Sequence, residues 1–240
     1  MAALPVFAAD LDTIRARGYL VVAVREGWQP LSFRDRDGNL VGLEIDIARG
    51  LATAIFADPE ALELRVVPNG DRLPAVLEDR VDVAIAGVTL TSGRQRLLSF
   101  SPPYYLDGAA VLVRDPQYRR LEDLRRRRLG VLQGSSTVAV VRYLLPQATL
   151  IPLTSYQEAL SRLGSGQIDG FAGDVTVLTG WQQTYRGYYL VPSLLSAEPL
   201  AIALPKGTQY TDLHRLVSQT VSQWHQNGWL EDRATFWGLP

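Results

Sequence analysis

Gly87-Val-Thr-Leu-Thr-Ser-Gly-Arg-Gln-Arg96, preceded by Val81-Asp-Val-Ala-Ile-Ala86 and followed by Phe100-Ser-Pro-Pro-Tyr104, is the stretch on which the fold turns. Val81–Ala86 is apolar apart from one aspartate and reads as a buried strand. The strand stops at Gly87, and Thr89, Thr91 and Arg94 follow at once. A strand end of this kind presents a carbonyl, a hydroxyl and a guanidinium together. The carbonyl can accept from an ammonium, and the guanidinium can grip a carboxylate through two parallel hydrogen bonds. A lone arginine in such a place is ordinarily a solvated charge. Here its neighbours make Arg94 and Thr89 candidates for holding a small zwitterion.

Working outward, Leu20–Val24 reads as a strand, and Leu43, Ile45, Ile47, Ala48, Leu51 and Ile55 fall at helical spacing. Leu64–Val67 reads as a strand and Leu73–Leu77 as a short helix with Pro74 near its first turn. A short helix follows Ser92, and Ala109–Val113 and Leu129–Leu132 are further strands. Gln133–Thr137 is a turn into a helix reaching about Leu145. Ser155–Leu163 is helical, with Ser155 as N-cap and Glu158 completing a capping box. Ile168–Gly173 is a strand ending at Asp174, and a helix runs on to about Tyr185. The chain returns through Pro199–Pro205 and ends on a helix from about Tyr210 to Asn227, stopped by Gly228.

Strands alternating with helices imply mostly parallel sheets covered on both faces. The two halves echo each other: Val24-Arg-Glu-Gly-Trp28 against Leu132-Gln-Gly-Ser-Ser136, then Asp82–Thr89 against Asp169–Asp174. Ligands of open α/β sheets lie beyond the carboxyl ends of the strands. Two such sheets facing each other would enclose a small ligand. The late return predicts a discontinuous first lobe, 10–107 and 199–240, with a second lobe, 108–198, inserted through two hinge strands.

Composition sets the outer bounds. With 240 residues, 47% of them hydrophobic, the chain can bury a real core. A net charge of −1 gives no reason to expect a nucleic acid or an anionic membrane as partner. Arg125–Arg128 reads as an exposed helix end rather than a nucleic-acid patch, because Glu122 and Asp123 lie beside it. The absence of cysteine excludes disulfides, and two histidines, His214 and His225, argue against a zinc site. No cofactor or metal is expected. Met1–Ala9 reads either as the remnant of a trimmed export signal or as an ordinary frayed start.

From Ile14-Arg-Ala-Arg-Gly-Tyr-Leu20 to its end, the chain resembles the family-3 periplasmic solute-binding proteins of amino-acid ABC transporters. Five segments carry the resemblance in order: Gly38–Ala48, Gly87–Arg96, Phe100–Tyr104, Gly130-Val-Leu-Gln-Gly-Ser135, and Gly166-Gln-Ile-Asp169 through Asp174. Leu43 and Glu44 replace the family's usual Phe and Asp. The resemblance implies a two-lobed α/β fold of the type II binding-protein kind, with the ligand cleft between two doubly wound lobes. It implies that Arg94 holds the ligand α-carboxylate with help from Thr89, and that the Gly87 carbonyl meets the α-ammonium. Ser135 and Ser136 then cap the carboxylate at a helix N-terminus. Asp174 pairs with the ammonium, with a helix N-cap as its other role. Trp28 is an aromatic wall over the ligand, or a core tryptophan. Asn69 stands where many members carry a large apolar wall, which argues against an aromatic or aliphatic ligand side chain; Leu31 stands where Phe is commoner.

The cleft charges narrow the ligand. Arg25 and Arg72 match side-chain contacts of glutamate- and aspartate-binding relatives, with Tyr156 as a further contact. Three guanidiniums against Asp174 suit L-glutamate, L-aspartate or L-glutamine, because a lysine or leucine ligand would leave buried arginines unpaired. Otherwise Arg25 and Arg72 point to solvent and pair with Glu26, Asp71 or Asp35. The partners implied are an amino acid and a membrane permease; the protein is expected to be monomeric and extracytoplasmic, exported by a signal peptide.

Two other classes remain at this point. A dehydratase of prephenate-like acids on the same fold would need a general acid, for which Glu26 and Glu44 are the candidates. A sensory ligand-binding domain of a receptor is the third.

Overall fold

The computed structural model describes residues 10–239; the expectation for Met1–Ala9 lies outside them. Asp10 opens helix α1 (Leu11–Arg17) by accepting from the Thr13 amide at 2.8 Å, and Gly18 ends it at φ 85°. Strand β1 (Leu20–Val24) is buried at every position. Its side chains alternate between two cores, which is why its sequence is apolar throughout. Leu20, Val22 and Val24 pack with Leu51 and Val217, whereas Val21 and Ala23 pack with Ala75 and Val76. A small hairpin, β2 (Phe33–Arg34) and β3 (Leu40–Val41), leads into α2 (Leu43–Phe56). Then follow β4 (Leu62–Val66), α3 (Arg72–Leu77), β5 (Val83–Ala84), α4 (Ser92–Gln95) and β6 (Ser99–Phe100).

Strand β5 is shorter than the run Val81–Ala86 predicts. Single hydrogen bonds carry the pairing beyond it, from the Asp82 amide to Val21 and from the Ile85 amide to Ala23. The buried Asp82 carboxylate accepts from the Val21 amide at 2.7 Å and from the Arg17 guanidinium, which accounts for a charge at the head of a core strand.

Strand β7 (Tyr105–Val113) is nine residues long, where sequence reading finds only Ala109–Val113. The second sheet adds β8 (Arg128–Leu132), α5 (Thr137–Leu144), β9 (Thr149–Leu153), α6 (Tyr156–Gly164), β10 (Gly170–Asp174), α7 (Val175–Thr184) and β11 (Tyr189–Leu190). The chain returns through β12 (Ser196–Leu200) and β13 (Ala203–Leu204) into α8 (Thr211–Gln226) and α9 (Trp229–Phe236), with Gly228 between them at φ 78°. Ser155 caps α6 as expected, but the Glu158 carboxylate reaches the Thr154 amide instead of closing the box on Ser155.

Two sheets result. The first runs β4-β1-β5-β13-β6, parallel between β1 and its neighbours and antiparallel at β13. The second runs β11-β7-β10-β8-β9, with β12 also on β7. It is parallel from β10 through β9 and antiparallel at β7. The sheets are joined by a two-stranded ribbon. Tyr105 of β7 pairs with Leu200 of β12, Asp107 with Glu198, and Ala109 with Ser196. The missing first half of β7 is half of this ribbon, and its partner lies some ninety residues away, out of reach of any local reading. Among the described residues no helix is long and apolar enough to cross a membrane.

Candidate functional site

The site grows from strand ends. Arg25 and Trp28 follow β1, and Asn69 and Arg72 open the turn into α3. Gly87 and Thr89 follow β5, and Arg94 lies in α4. Facing them are Ser135 and Ser136 after β8, Tyr156 at the start of α6, and Asp174 at the end of β10.

The two groups meet directly. Arg94 donates to the Thr89 carbonyl at 2.8 Å and to the Gly134 carbonyl at 2.9 Å, so one guanidinium touches both sides. Asn69 donates its side-chain amide to the Gln133 carbonyl. The Thr89 hydroxyl lies 3.1 Å from that of Ser136.

Arg72 does not point to solvent. It is buried, and it donates to the carbonyls of Asn69 at 2.8 Å, Ala86 at 2.8 Å, Gly87 at 2.6 Å and Gly134 at 3.4 Å. Asp71, the alternative partner, instead holds Arg80. The Gly87 carbonyl, expected to meet an ammonium, here accepts from Arg72. Burial pulls the Arg72 guanidinium down to about 9, helped by Arg25 and Arg94. It stays a cation at neutral pH.

Arg25 is also buried, not paired with Glu26, which holds Arg34 at 3.2 Å. Asp35, a further alternative partner, accepts from the amides of Asp37 and Asn39 in its own turn. The Arg25 guanidinium lies 4.3 Å over the Trp28 ring and 5.1 Å over the Tyr156 ring. Trp28 is fully buried, and its ring fills the space beside Gly87: a Cβ there would come within 1.7 Å of it. The tryptophan therefore supports the floor of the cleft and carries Arg25 on its face.

Ser135 and Ser136 divide their work. The Ser135 hydroxyl accepts from the Thr137 amide at 3.0 Å, in the turn that starts α5. The Ser136 hydroxyl donates to Glu198. Asp174 is no side-chain cap for α7: its carboxylate accepts the Tyr156 hydroxyl. Burial pushes the Asp174 carboxyl up, opposed first by Arg25.

Sequence reading missed two buried acids and gave a third another role. Glu198 on β12 accepts from Thr89 at 2.6 Å, from Ser136 and from Ser196 at 2.8 Å. Asp107 on β7 accepts from the Gly108 amide at 2.8 Å and the Thr176 hydroxyl at 2.7 Å. Burial, with the Asp174 charge behind it, lifts the Asp107 carboxyl to about 7. Glu44, weighed only as a general acid, accepts from the Gly87 amide at 2.7 Å and from the Tyr104 hydroxyl, and is raised by burial. It braces the backbone of the Gly87 turn. Glu198 and Asp107 did leave a signal: each is a lone acid beside an apolar run that reads as buried strand.

The arrangement offers cations and hydroxyls to a carboxylate, and carboxylates to a cation, from facing strand ends. Among the described residues no group of acids and histidines could hold a metal ion.

The family model of the bacterial extracellular solute-binding proteins, family 3, matches residues 20–240. A glutamine-binding protein of Geobacillus stearothermophilus is 30% identical over 83% of this chain and 77% of its own length. The glutamate-binding protein GluB of Corynebacterium glutamicum is 30% identical over 67% of this chain and 57% of its own length. Among solved structures, an amino-acid ABC transporter substrate-binding protein of Streptococcus pneumoniae bound to L-arginine superimposes with a TM-score of 0.87 at 26% identity, covering 95% of this chain and 97% of the other.

Proposed function

The chain belongs to the bacterial extracellular solute-binding proteins of family 3, a family of binding proteins rather than enzymes, and from that premise we propose that it captures a polar amino acid in the cleft between its two sheets. L-glutamate, L-aspartate and L-glutamine are the candidate ligands, delivered to the permease of an ABC transporter. The observation that carries this reading is the meeting of Arg94 and Thr89 with Gly134, Ser136 and Glu198 across the cleft.

In this reading Arg94 and Thr89 take the α-carboxylate, and Asp174 takes the α-ammonium with the Gly87 carbonyl beside it. Arg25 takes the ligand side chain, held in place by Trp28 and Tyr156. Arg72 and Asn69 shape the wall through their backbone partners. The lobes are 10–107 with 199–240, and 108–198. The ribbon of β7 and β12 is the hinge on which they close, because ligand contacts are split between them. The protein works outside the cytoplasm as a monomer, exported by a signal peptide.

Calorimetry against the twenty amino acids tests this reading. Binding of a glutamate, aspartate or glutamine ligand supports it. Binding confined to lysine, histidine or branched-chain ligands overturns the ligand class, and turnover of prephenate or arogenate overturns the binding-protein reading itself.

A further inference from the structure

The hinge ribbon carries an unusual pair. Glu198 and Asp107 stand directly opposite each other on antiparallel strands, and both are buried. Opposed residues share a face with their Cβ atoms about 4.5–5.5 Å apart, and like charges there are destabilising. That face looks into the cleft. Glu198 reaches Thr89 and Ser136, and Asp107 reaches Thr176, next but one to Asp174. Asp174 feels both Arg25 and Glu198. The cleft thus holds Asp107, Asp174 and Glu198 on its hinge side, where sequence counts Asp174 alone.

On the opposite side the cations are largely committed. Four of the five Arg72 donors go to backbone carbonyls, and Arg94 already spans Thr89 and Gly134. The Arg25 side chain donates no hydrogen bond among the described residues, although its guanidinium plane is covered by Trp28 and Tyr156. One open cationic edge therefore remains; it acts on Asp174, which in turn feels Glu198 and acts on Asp107.

We propose that Glu198, backed by Asp107 across the ribbon, is a specificity-determining residue that makes the cleft prefer a carboxamide side chain to a carboxylate one. This rests on the reading of the cleft as a site for acidic or amidic amino acids. A carboxamide accepts from Arg25 through its oxygen and donates through its nitrogen to an acid on the hinge side. A side-chain carboxylate can accept from Arg25 but brings another negative charge towards Asp174 and Glu198, and like-charge juxtaposition in a desolvated site is costly. A guanidinium side chain would satisfy the acids but face Arg25.

The experiment is calorimetry of L-glutamine, L-glutamate and L-arginine on the wild type, Glu198→Gln and Asp107→Asn at neutral pH. The wild type should bind glutamine at least about tenfold more tightly than glutamate, a difference of about 1.4 kcal/mol. Glu198→Gln keeps an acceptor for Thr89 and Ser136 and should shrink that ratio about tenfold. Asp107→Asn should shrink it about threefold, and serves as the test if Glu198→Gln does not fold. A structural role for Glu198 would weaken all ligands alike and leave the ratio unmoved. Glutamate equal to or tighter than glutamine on the wild type, arginine tightest of the three, or a ratio unmoved in both variants would overturn the proposal. If glutamine and glutamate both fail to bind the wild type, and L-aspartate added to the same series fails too, it is the underlying functional reading that fails.

Discussion

The two walls of the cleft are built from opposite materials. The arginine wall is held by the main chain: Arg72 and Arg94 are locked onto the carbonyls of Asn69, Ala86, Gly87, Thr89 and Gly134. The acidic wall is held mostly by hydroxyls: Asp174 by Tyr156, Asp107 by Thr176 with the Gly108 amide beside it, and Glu198 by Thr89, Ser136 and Ser196. A carbonyl cannot turn away without moving a strand end, whereas a hydroxyl can rotate and exchange partners. The cationic wall is therefore preorganised, and the acidic wall is where a ligand's own donors can take over existing bonds.

The largest expected effect breaks the fixed wall. Arg94→Ala should weaken every amino-acid ligand by about 2–5 kcal/mol, roughly 30-fold to several thousand-fold, because the partner charge stays desolvated. Calorimetry reads this directly, and an unchanged affinity would move the carboxylate site elsewhere.

The next effect belongs to the acidic wall and appears in stability. Asp107 is lifted from 3.8 to about 7, so the folded protein holds this proton more tightly than the unfolded chain. Its contribution to stability is lost as pH rises through that window. Asp107→Asn should melt above the wild type at pH 8 by an amount equivalent to about 2 kcal/mol, under a ceiling of about 4 kcal/mol for a shift of that size, and the gap should close near pH 4. Parallel melting curves at both pH values would show that Asp107 carries no such strain.

Tyr156→Phe sharpens the comparison further. It removes the hydroxyl that Asp174 accepts and leaves the ring packed on Phe171 and Trp181. Affinity should fall by about 1.5 kcal/mol, roughly tenfold, with little change in melting temperature. The smallest effect is a control outside both walls. Arg128→Ala breaks a partly exposed pair with Asp169 and should leave ligand affinity unchanged, with a loss of stability of about 1 kcal/mol or less read in the melting temperature.

Much of this was legible in the sequence. The apolar runs of β1, β8 and β10 announce strands covered on both faces, and Ser155 announces its helix. The family is legible from its ordered segments. Arg25, Arg72 and Arg94 do converge, but their partners were illegible, because a backbone carbonyl leaves no trace in residue identity. The ribbon was half-hidden for another reason: β12 meets β7 only after the whole second sheet has been laid down. With it went the pairing of Asp107 and Glu198, and hence the true charge balance of the cleft. Ser135 shows two uses of one hydroxyl that sequence cannot separate: its oxygen accepts from the Thr137 amide, and its proton is still free to be donated.

The contact between Gly87 and Trp28 has a consequence for how such a protein can change its taste. Gly87 holds φ at 62°, has its amide on Glu44 and its carbonyl on Arg72, and leaves no room for a methyl group against the indole. The floor of the cleft is thus made of backbone, and no substitution at position 87 can retune it without dislodging Trp28 and the arginine it carries. New ligand preferences, whether selected or engineered, must enter through the side chains around that floor: Arg25, Asn69, Asp107, Tyr156 and Glu198.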